Sequence, residues 1–309
     1  MIIREKFKTT IGGQALIEGI MMRGPEATSM AVRLPGGDVD CETWSTAKSS
    51  KWYKKAPFVR GMFNMIDALA IGYRCLMKSA EKQGIEDETP KWVIKLFGEK
   101  GGDVFNKFIT TISGVIGGAL AIGLFMFLPT FLAGLLGDVI ATSMMRSLVE
   151  GIIRISLFVI YLALVSRMPD IKRVFGYHGA EHMCIACYEA ELPLTVENVR
   201  PQSRFHPRCG TSFLLIVMVV SIVLFSFITA QTILIRVVVR ILLLPAVVGI
   251  AYEIIKYAGR HNNPLTRLVS SPGLCLQKLT TYQPDDKQIE VAIAALEKVI
   301  PKSSGADAW

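Results

Sequence analysis

The amino-acid sequence predicts a mainly α-helical, polytopic membrane protein with a small β unit at its N-terminus. Hydrophobic residues make up 51% of the 309 residues, and the mean hydropathy is +0.42, which is too apolar for an ordinary soluble domain. Four long apolar runs account for these values: 108–136, 148–165, 211–235 and 237–257. A helix of about 20 apolar residues crosses the hydrocarbon core of a bilayer, so we expect about four transmembrane helices.

The run 148–165 is the weakest of the four, because Glu150 and Arg154 lie in its first turns. The two residues are four apart and are expected to pair on one helix face. The predicted topology depends on this segment, and the sequence alone leaves open whether it spans the membrane completely.

Three regions follow from this pattern. Residues 1–107 are expected to hold the small β unit and amphipathic helices, and residues 108–258 the four-helix membrane domain. A polar insert at 167–210 separates the second and third apolar runs. Residues 259–309 are expected to be turn-rich as far as residue 282, with a final amphipathic helix capped by Asp285 or Asp286.

Lysine and arginine placement predicts the orientation in the cell membrane. Basic residues precede the first run, fill the insert and follow the fourth run, which places both termini and the insert in the cytoplasm. Arg236 and Arg240, in the turn between the last two runs, disagree with this assignment. The net charge of +8 is spread along membrane flanks without a recognition motif, so we expect the lipid bilayer and no nucleic acid as a partner.

The insert carries a pattern typical of metal ligands. His178 and His182 are four apart, which places their side chains on one helix face, and Glu181 flanks them. The order His-x-x-Glu-His is the inverted zinc-peptidase pattern, in which two imidazoles hold zinc and the glutamate deprotonates a water. Glu181 is therefore the candidate catalytic base.

A second string supplies further ligands. His206 and Cys209 are separated by two residues, and Pro207 and Gly210 favour a tight turn around them. His178, His182, His206 and Cys209 would together complete a tetrahedral site, and mixed nitrogen and sulfur ligands favour Zn²⁺ as the cofactor.

Other ligand sets remain open. Cys184 and Cys187 form a Cys-x-x-Cys pair that could join His206 and Cys209 in a zinc ribbon, although a continuous helix would direct both cysteines away from the histidines. Glu189 is a spare ligand on the histidine face, and Glu253 is an ionisable residue within the fourth apolar run. A cytoplasmic insert predicts reduced thiols.

Four strings resemble the bacterial YqhQ-like family: Gly-Gly-Gln-Ala-Leu-Ile-Glu-Gly within 12–25, Tyr-His-Gly-Ala-Glu-His at 177–182, His-Pro-Arg-Cys-Gly-Thr-Ser-Phe at 206–213, and 272–281. The resemblance covers nearly the whole chain. It implies a multi-pass membrane protein, and members are labelled predicted metal-dependent enzymes without an established reaction. The metal motif that the resemblance suggests maps onto His178, Glu181, His182, His206 and Cys209.

Two functions compete on this basis. The first is a zinc-dependent, membrane-bound hydrolase at the cytoplasmic face, with Glu181 as base and a peptide, lipid headgroup or other hydrolysable substrate. The second is a non-enzymatic scaffold or regulator, in which a structural zinc fixes the insert so that a cytoplasmic or membrane protein partner can dock. A transporter is disfavoured, because the polar residues lie near the ends of the apolar runs. The sequence predicts neither the substrate nor the oligomeric state.

Overall fold

The computed structural model describes residues 7–46, 52, 56–85, 91–136, 143–228, 232–261, 263–303 and 306–307. The chain divides into two compact units. The first contains Met1–Gln83, Tyr161–Ser221 and Leu244–Trp309, and the second contains Gly84–Ile160 and Ile222–Leu243.

The described part of the chain is mainly helical, with one small sheet near its start. The strands are β1 (Gly12–Leu16), β2 (Gly19–Arg23), β3 (Ala27–Arg33) and β4 (Val39–Ser45). The helices are α1 (Val59–Lys82), α2 (Lys91–Ile122), α3 (Leu128–Leu135), α4 (Ser143–Val165), α5 (Pro169–Glu189), α6 (Val196–Val199), α7 (Gly210–Ser226), α8 (Ile233–Arg260), α9 (Pro264–Thr280) and α10 (Asp286–Glu297). A π-helical turn, Gly123–Phe127, connects α2 with α3.

The sheet is a simple antiparallel meander in the order β1-β2-β3-β4. A two-residue turn joins β1 to β2, and Glu18 in this turn has a φ of 51°. The Glu18 carboxylate accepts hydrogen bonds from Arg173 Nη2 (2.6 Å) and from the Tyr177 hydroxyl (3.1 Å) on α5. Burial alone would raise the pKa of Glu18, but Arg173 and Tyr177 hold this pKa below its usual value. The turn is thereby tied to α5.

One hydrophobic core joins the two ends of the chain in the first unit. Ile20 and Met22 of the sheet pack with Met183 of α5 and with Ile289 and Leu296 of α10. A backbone hydrogen bond from Thr10 N–H to Asp307 O (2.6 Å) also links the N-terminal and C-terminal segments. The sheet, α5 and α10 therefore form a single folded body.

Two glycines allow α5 to pack closely against the C-terminal segment. A Cβ at Gly179 would stand 2.0 Å from the backbone oxygen of Tyr282, and one at Gly176 would stand 2.6 Å from Gln288 Oε1. The Tyr282 N–H also donates to Phe175 O (2.9 Å). Glycine lowers helix propensity, so its presence at residue 179 is explained by this close approach.

The second unit contains a buried polar cluster around Glu150. Its Oε1 atom accepts from Thr130 Oγ1 (2.7 Å), from Arg154 Nη2 (2.9 Å) and from Arg240 Nη1. Arg154 Nε also donates to Phe125 O (2.9 Å) in the π-helical turn, where the wider winding changes the backbone hydrogen-bonding pattern. The expected pairing of Glu150 with Arg154 is thus confirmed, and Arg240 joins the pair from α8.

Among the described residues, three helical stretches are long and apolar enough to cross a membrane: Val104–Leu135, Met144–Val165 and Leu234–Arg260. The apolar run 211–235 differs from expectation, because its helix α7 has only 17 residues and ends at Ser226. Three of the expected four spans are therefore found as candidates among the described residues, and α7 is a shorter apolar helix. The stretch Met144–Val165 contains the run whose crossing was in doubt.

The region after α8 is more regular than its sequence suggests. The expected turn-rich segment forms helix α9, which starts at a capping box between Asn263 and Thr266 and accommodates Pro272. Asp285 caps α10 through the same arrangement with Gln288, as one of the two expected caps. Helix α9 contributes several partners of the candidate site.

Candidate metal centre

Three predicted ligands converge between α5 and the start of α7. The donor atoms of His178, His182 and Cys209 all lie within 4.8 Å of one another. His178 and His182 stand one turn apart on α5, with ring centroids separated by 4.4 Å, and His178 Nε2 lies 3.2 Å from Cys209 Sγ. Two imidazoles and a thiol at this spacing form a donor set of the kind that binds zinc. We call this set the His/Cys cluster.

Backbone carbonyls fix the orientation of both imidazoles. His178 Nδ1 lies 2.7 Å from Thr280 O at the end of α9, and His182 Nδ1 lies 2.6 Å from Arg204 O. A carbonyl oxygen can only accept, so each Nδ1 must carry the proton and each neutral ring keeps its lone pair on Nε2. This is the outer arrangement usual for metal-binding histidines.

His206 lies beside the cluster but is not part of the convergent set. Its ring centroid is 5.5 Å from that of His182, and its Nε2 accepts from Arg208 Nη2 at 3.1 Å. Burial, together with His182 and Arg208, holds the pKa of His206 well below its usual value, so the ring is neutral. The structure therefore brings together three of the four predicted ligands and leaves His206 bonded to Arg208.

Glu181, the predicted base, is buried and faces β1. Its Oε1 accepts from the backbone N–H of Gly13 at 2.9 Å. Burial raises the pKa of this carboxyl group, whereas His178 and the Gly13 N–H act in the opposite direction. A Cβ at Gly13 would stand 3.0 Å from Glu181 Cγ, so the glycine provides the space that the glutamate occupies.

The structure does not bring the alternative ligands to the cluster. Cys184 and Cys187 are buried in the hydrophobic core of the first unit, because α5 continues through both and turns them away from the histidines. Glu189 forms an ion pair with Arg208 and also accepts from Thr9 N–H (2.9 Å). Glu253 accepts from Arg60 Nε (2.7 Å) and Nη2 (2.5 Å).

Gln277 of α9 is a partner that the sequence did not single out. Its side chain is fully buried and clamps the His206 backbone, accepting from His206 N–H (2.8 Å) and donating to His206 O (2.7 Å). Thr211 adds a hydrogen bond from its Oγ1 to Cys209 Sγ (3.3 Å). The only sign of Gln277 in the sequence was its position within the family-like string 272–281. Sequence spacing could not connect it with His206, about 70 residues earlier.

The cluster borders an open cleft of about 510 Å³ in the first unit. Its polar wall contains His178, Glu181 and His182. Residues of β1 beside Glu181 also line the cleft, and apolar side chains such as Leu162 and Leu214 complete the lining. A molecule in this cleft would reach Glu181 and the candidate ligands together.

The comparisons with known proteins identify the family of this chain. Residues 56–302 match the family model described as "Protein of unknown function (DUF1385)". The chain is 35% identical over 304 residues to "Uncharacterized protein YqhQ" of Bacillus subtilis (strain 168), covering 96% of this chain and 94% of that protein. The chain belongs to the YqhQ-like family. No solved structure matches it.

The extent of each match bears on the site. The DUF1385 match includes α5, α7 and α9, and so contains the whole His/Cys cluster. It begins after the sheet, but the similarity to the Bacillus subtilis relative extends over nearly the whole of both chains. The resemblance seen in the sequence is thus confirmed at the level of the family.

Proposed function

We propose that this YqhQ-like protein is a membrane-bound, metal-dependent hydrolase whose ion is held by His178, His182 and Cys209. One observation carries the proposal: the two imidazoles are fixed through Nδ1, so their Nε2 atoms and the Cys209 sulfur face one another. Buried lone pairs that converge in this way are stabilised when they share a cation.

Zinc suits this donor set best, because imidazole and thiolate ligands together favour it over magnesium or calcium. Structural zinc sites usually have four protein ligands, whereas catalytic sites keep a position for water or substrate. The convergent set has three members, since His206 is bonded to Arg208. Bound zinc would supply Lewis-acid activation of water for hydrolysis.

Glu181 is the base in this proposal. Its carboxylate lines the same cleft as both imidazoles and is held in place by the Gly13 N–H at 2.9 Å. A base must lie within hydrogen-bond reach of the proton that it removes, and a water between Glu181 and the cluster meets this requirement. We therefore assign proton transfer to Glu181 and orientation of Glu181 to Gly13.

The shared core supports a topology with four crossings. The sheet, α5 and α10 pack in one core, so all three lie on one side of the membrane. The chain must then cross an even number of times between α5 and α10, and Leu234–Arg260 accounts for one crossing. Helix α7 supplies the other: its 17 residues are about 26 Å long, close to the ~30 Å of a hydrocarbon core.

The positive-inside rule puts the shared core in the cytoplasm. Of the two arginines that disagreed, Arg240 is buried beside Glu150 within α8 and so does not behave as a loop charge. Phe227, just after α7, is 78% exposed. A Phe227→Cys variant should react in intact cells with a membrane-impermeant maleimide, and Trp44→Cys on the sheet should not; the reverse pattern would overturn this orientation.

A structural zinc is the second candidate, and one observation favours it. The cluster and its carbonyl partners come from α5, α9 and the loop before α7, so an ion there would fasten these segments together. In that case the first unit would serve as a docking platform for a protein partner.

Two variants separate the candidates. His178→Ala should abolish zinc binding under either function, and the zinc content of the purified protein measures this. Glu181→Gln should keep zinc and folding but abolish hydrolysis and the cellular effect of the intact gene. If Glu181→Gln fully complements a deletion strain while His178→Ala does not, the structural role is correct and the hydrolase proposal fails.

A further inference from the structure

Strand β1 is an edge strand of the sheet. It stands at one end of the strand order and, among the described strands, pairs only with β2. Helix α5 meets this edge at Gly13, whose N–H donates to Glu181, and the rest of the edge borders the cleft. Proteins usually cover or blunt such edges, because the outward backbone groups attract other extended segments. The part of the edge that α5 leaves uncovered, beside a candidate catalytic glutamate, therefore requires an explanation.

The register shows which backbone groups point outward. In an antiparallel pair, successive residues alternate between groups that bond the partner strand and groups that face away from it. Gly13 faces away from β2, because its N–H donates to Glu181. Ala15 must then direct its N–H and C=O outward as well, whereas Gln14 and Leu16 bond β2.

This edge is one wall of the cleft at the His/Cys cluster, whose lining includes Gly12, Gly13, Gln14 and Ala15. The five residues of β1 extend over about 16 Å, enough to pair with a short extended segment. Such a segment would pass Glu181 and the cluster. Leu162 and Leu214 of α4 and α7 also line the cleft, so its apolar part is continuous with helices of membrane character.

The charges in the cleft favour a peptide over a phospholipid headgroup. A phosphate group needs cationic donors, and Arg208, the arginine in the lining, is paired with Glu189. The outward C=O of Gly13 and the outward N–H and C=O of Ala15 match the backbone of an extended peptide instead, while the Gly13 N–H stays bonded to Glu181. The cleft thus offers peptide-like recognition beside an apolar surface.

We propose that the cleft binds an extended peptide segment by strand addition to β1, and that the protein is a peptidase for segments next to a membrane span. The inference rests on the proposed function and names its substrate class. The reaction consumes one water: the C–N bond breaks, the water oxygen joins the carbonyl carbon, and the amine nitrogen gains a proton. Glu181 removes the proton from water and delivers one to the leaving amine.

Hydrogen exchange tests strand addition without altering the edge. The probe is a fluorescein-labelled decapeptide of alternating valine and threonine, added to the full-length, zinc-loaded Glu181→Gln protein in micelles. We expect exchange of the Ala15 amide to slow at least about tenfold, since the amide gains a hydrogen bond. Peptide binding that leaves the exchange of β1 unchanged would overturn the inference.

Ala15→Pro tests the same contact by removal. Proline deletes the outward N–H but keeps the bonds to β2, and edge strands tolerate it. We expect the peptide Kd to rise about tenfold, as for one lost hydrogen bond, with unchanged zinc content and circular dichroism. The matched variant Ala15→Gly keeps the N–H and should bind as the native protein does. Equal affinity of all three proteins would contradict the inference.

Two further measurements distinguish failure of this inference from failure of the proposed function. The protein could hydrolyse p-nitrophenyl acetate in a zinc- and Glu181-dependent way and yet bind no peptide. This result would support the hydrolase function but refute strand addition. Release of headgroups from vesicles of phosphatidylglycerol and phosphatidylethanolamine would identify a lipid substrate and likewise refute it. Absence of zinc binding would refute the proposed function itself.

Discussion

The two units each bury a cluster of polar side chains, but the clusters differ in how their hydrogen-bonding groups are used. In the second unit, Glu150 Oε1 accepts from Thr130, Arg154 and Arg240. Both guanidinium groups also lie over the ring of Phe225, with Cζ atoms 5.6 Å and 5.1 Å from its centroid. A single carboxylate is thus shared by two buried guanidinium groups.

The His/Cys cluster is arranged in the opposite way. Its polar contacts hold the outer nitrogens of His178 and His182, whereas the inner Nε2 atoms and the Cys209 sulfur are directed at one another. Such a set has no opposite charge of its own and would be completed by a cation under the proposed function. Burial of polar groups alone therefore does not mark a ligand site; the direction in which their free lone pairs point does.

The largest effect is expected from breaking the cluster around Glu150. Glu150→Gln removes the one carboxylate that pairs with both Arg154 and Arg240, whose side chains are only 9% and 2% exposed. The free energy of unfolding should fall by about 3–5 kcal/mol, because buried charge is left without a partner. Denaturant unfolding in micelles measures this, with and without a chelator. The stability loss of Glu150→Gln should be the same with and without zinc. A loss of stability that appears only when zinc is present would contradict the distinction between the two clusters.

At the His/Cys cluster, by contrast, the stability lost on substitution should depend on bound zinc. His182→Ala should lose the bound ion and the stability it adds, about 2.7 kcal/mol at a free zinc concentration of 100 Kd. Chelation of the native protein should give the same loss. Cys184→Ala is the control, because Cys184 lies in the apolar core and its removal should leave zinc content unchanged. Zinc loss in Cys184→Ala would instead identify the Cys-x-x-Cys set.

A smaller effect should separate His206 from the convergent ligands. Because His206 Nε2 accepts from Arg208, His206→Ala should keep one zinc per chain and weaken its affinity about tenfold, as an outer contact does. Competition with a chromophoric chelator measures the affinity. If His206→Ala loses zinc as completely as His182→Ala, four residues bind the ion and the site is closed.

The smallest effect is expected at the ion pair between the β1–β2 turn and α5. Glu18→Gln should lower the free energy of unfolding at pH 7 by about 0.5–1 kcal/mol, since Arg173 is half exposed. The folded-state pKa of Glu18 lies below its ordinary 4.5, so the contribution is present above that pH and lost as the pH falls. The difference between native and variant protein should shrink steadily as the pH falls below 4.5, and a difference that does not change with pH would exclude the ion pair as its source.

Local spacing in the sequence predicted much of this, and long-range contacts account for the rest. His178 and His182 share a helix face, and Glu150 pairs with Arg154, because both pairs are separated by one helical turn. Arg240 was assigned to a loop, since its contact with Glu150 joins residues about 90 positions apart. The close approach of Tyr282 to Gly179 joins residues about 100 positions apart, so it is visible only in three dimensions.

The core shared by the sheet, α5 and α10 also constrains how the protein is made. Ile20 leaves the ribosome about 270 residues before Ile289, with which it packs. At 5–20 residues per second, the β-sheet waits roughly 15–50 s for its last partner, while the apolar helices between them are inserted. During that interval, β1–β4 expose an apolar face that α5 and α10 later cover. Biogenesis of this protein therefore depends on protecting its first fifty residues from aggregation until its last thirty are synthesised.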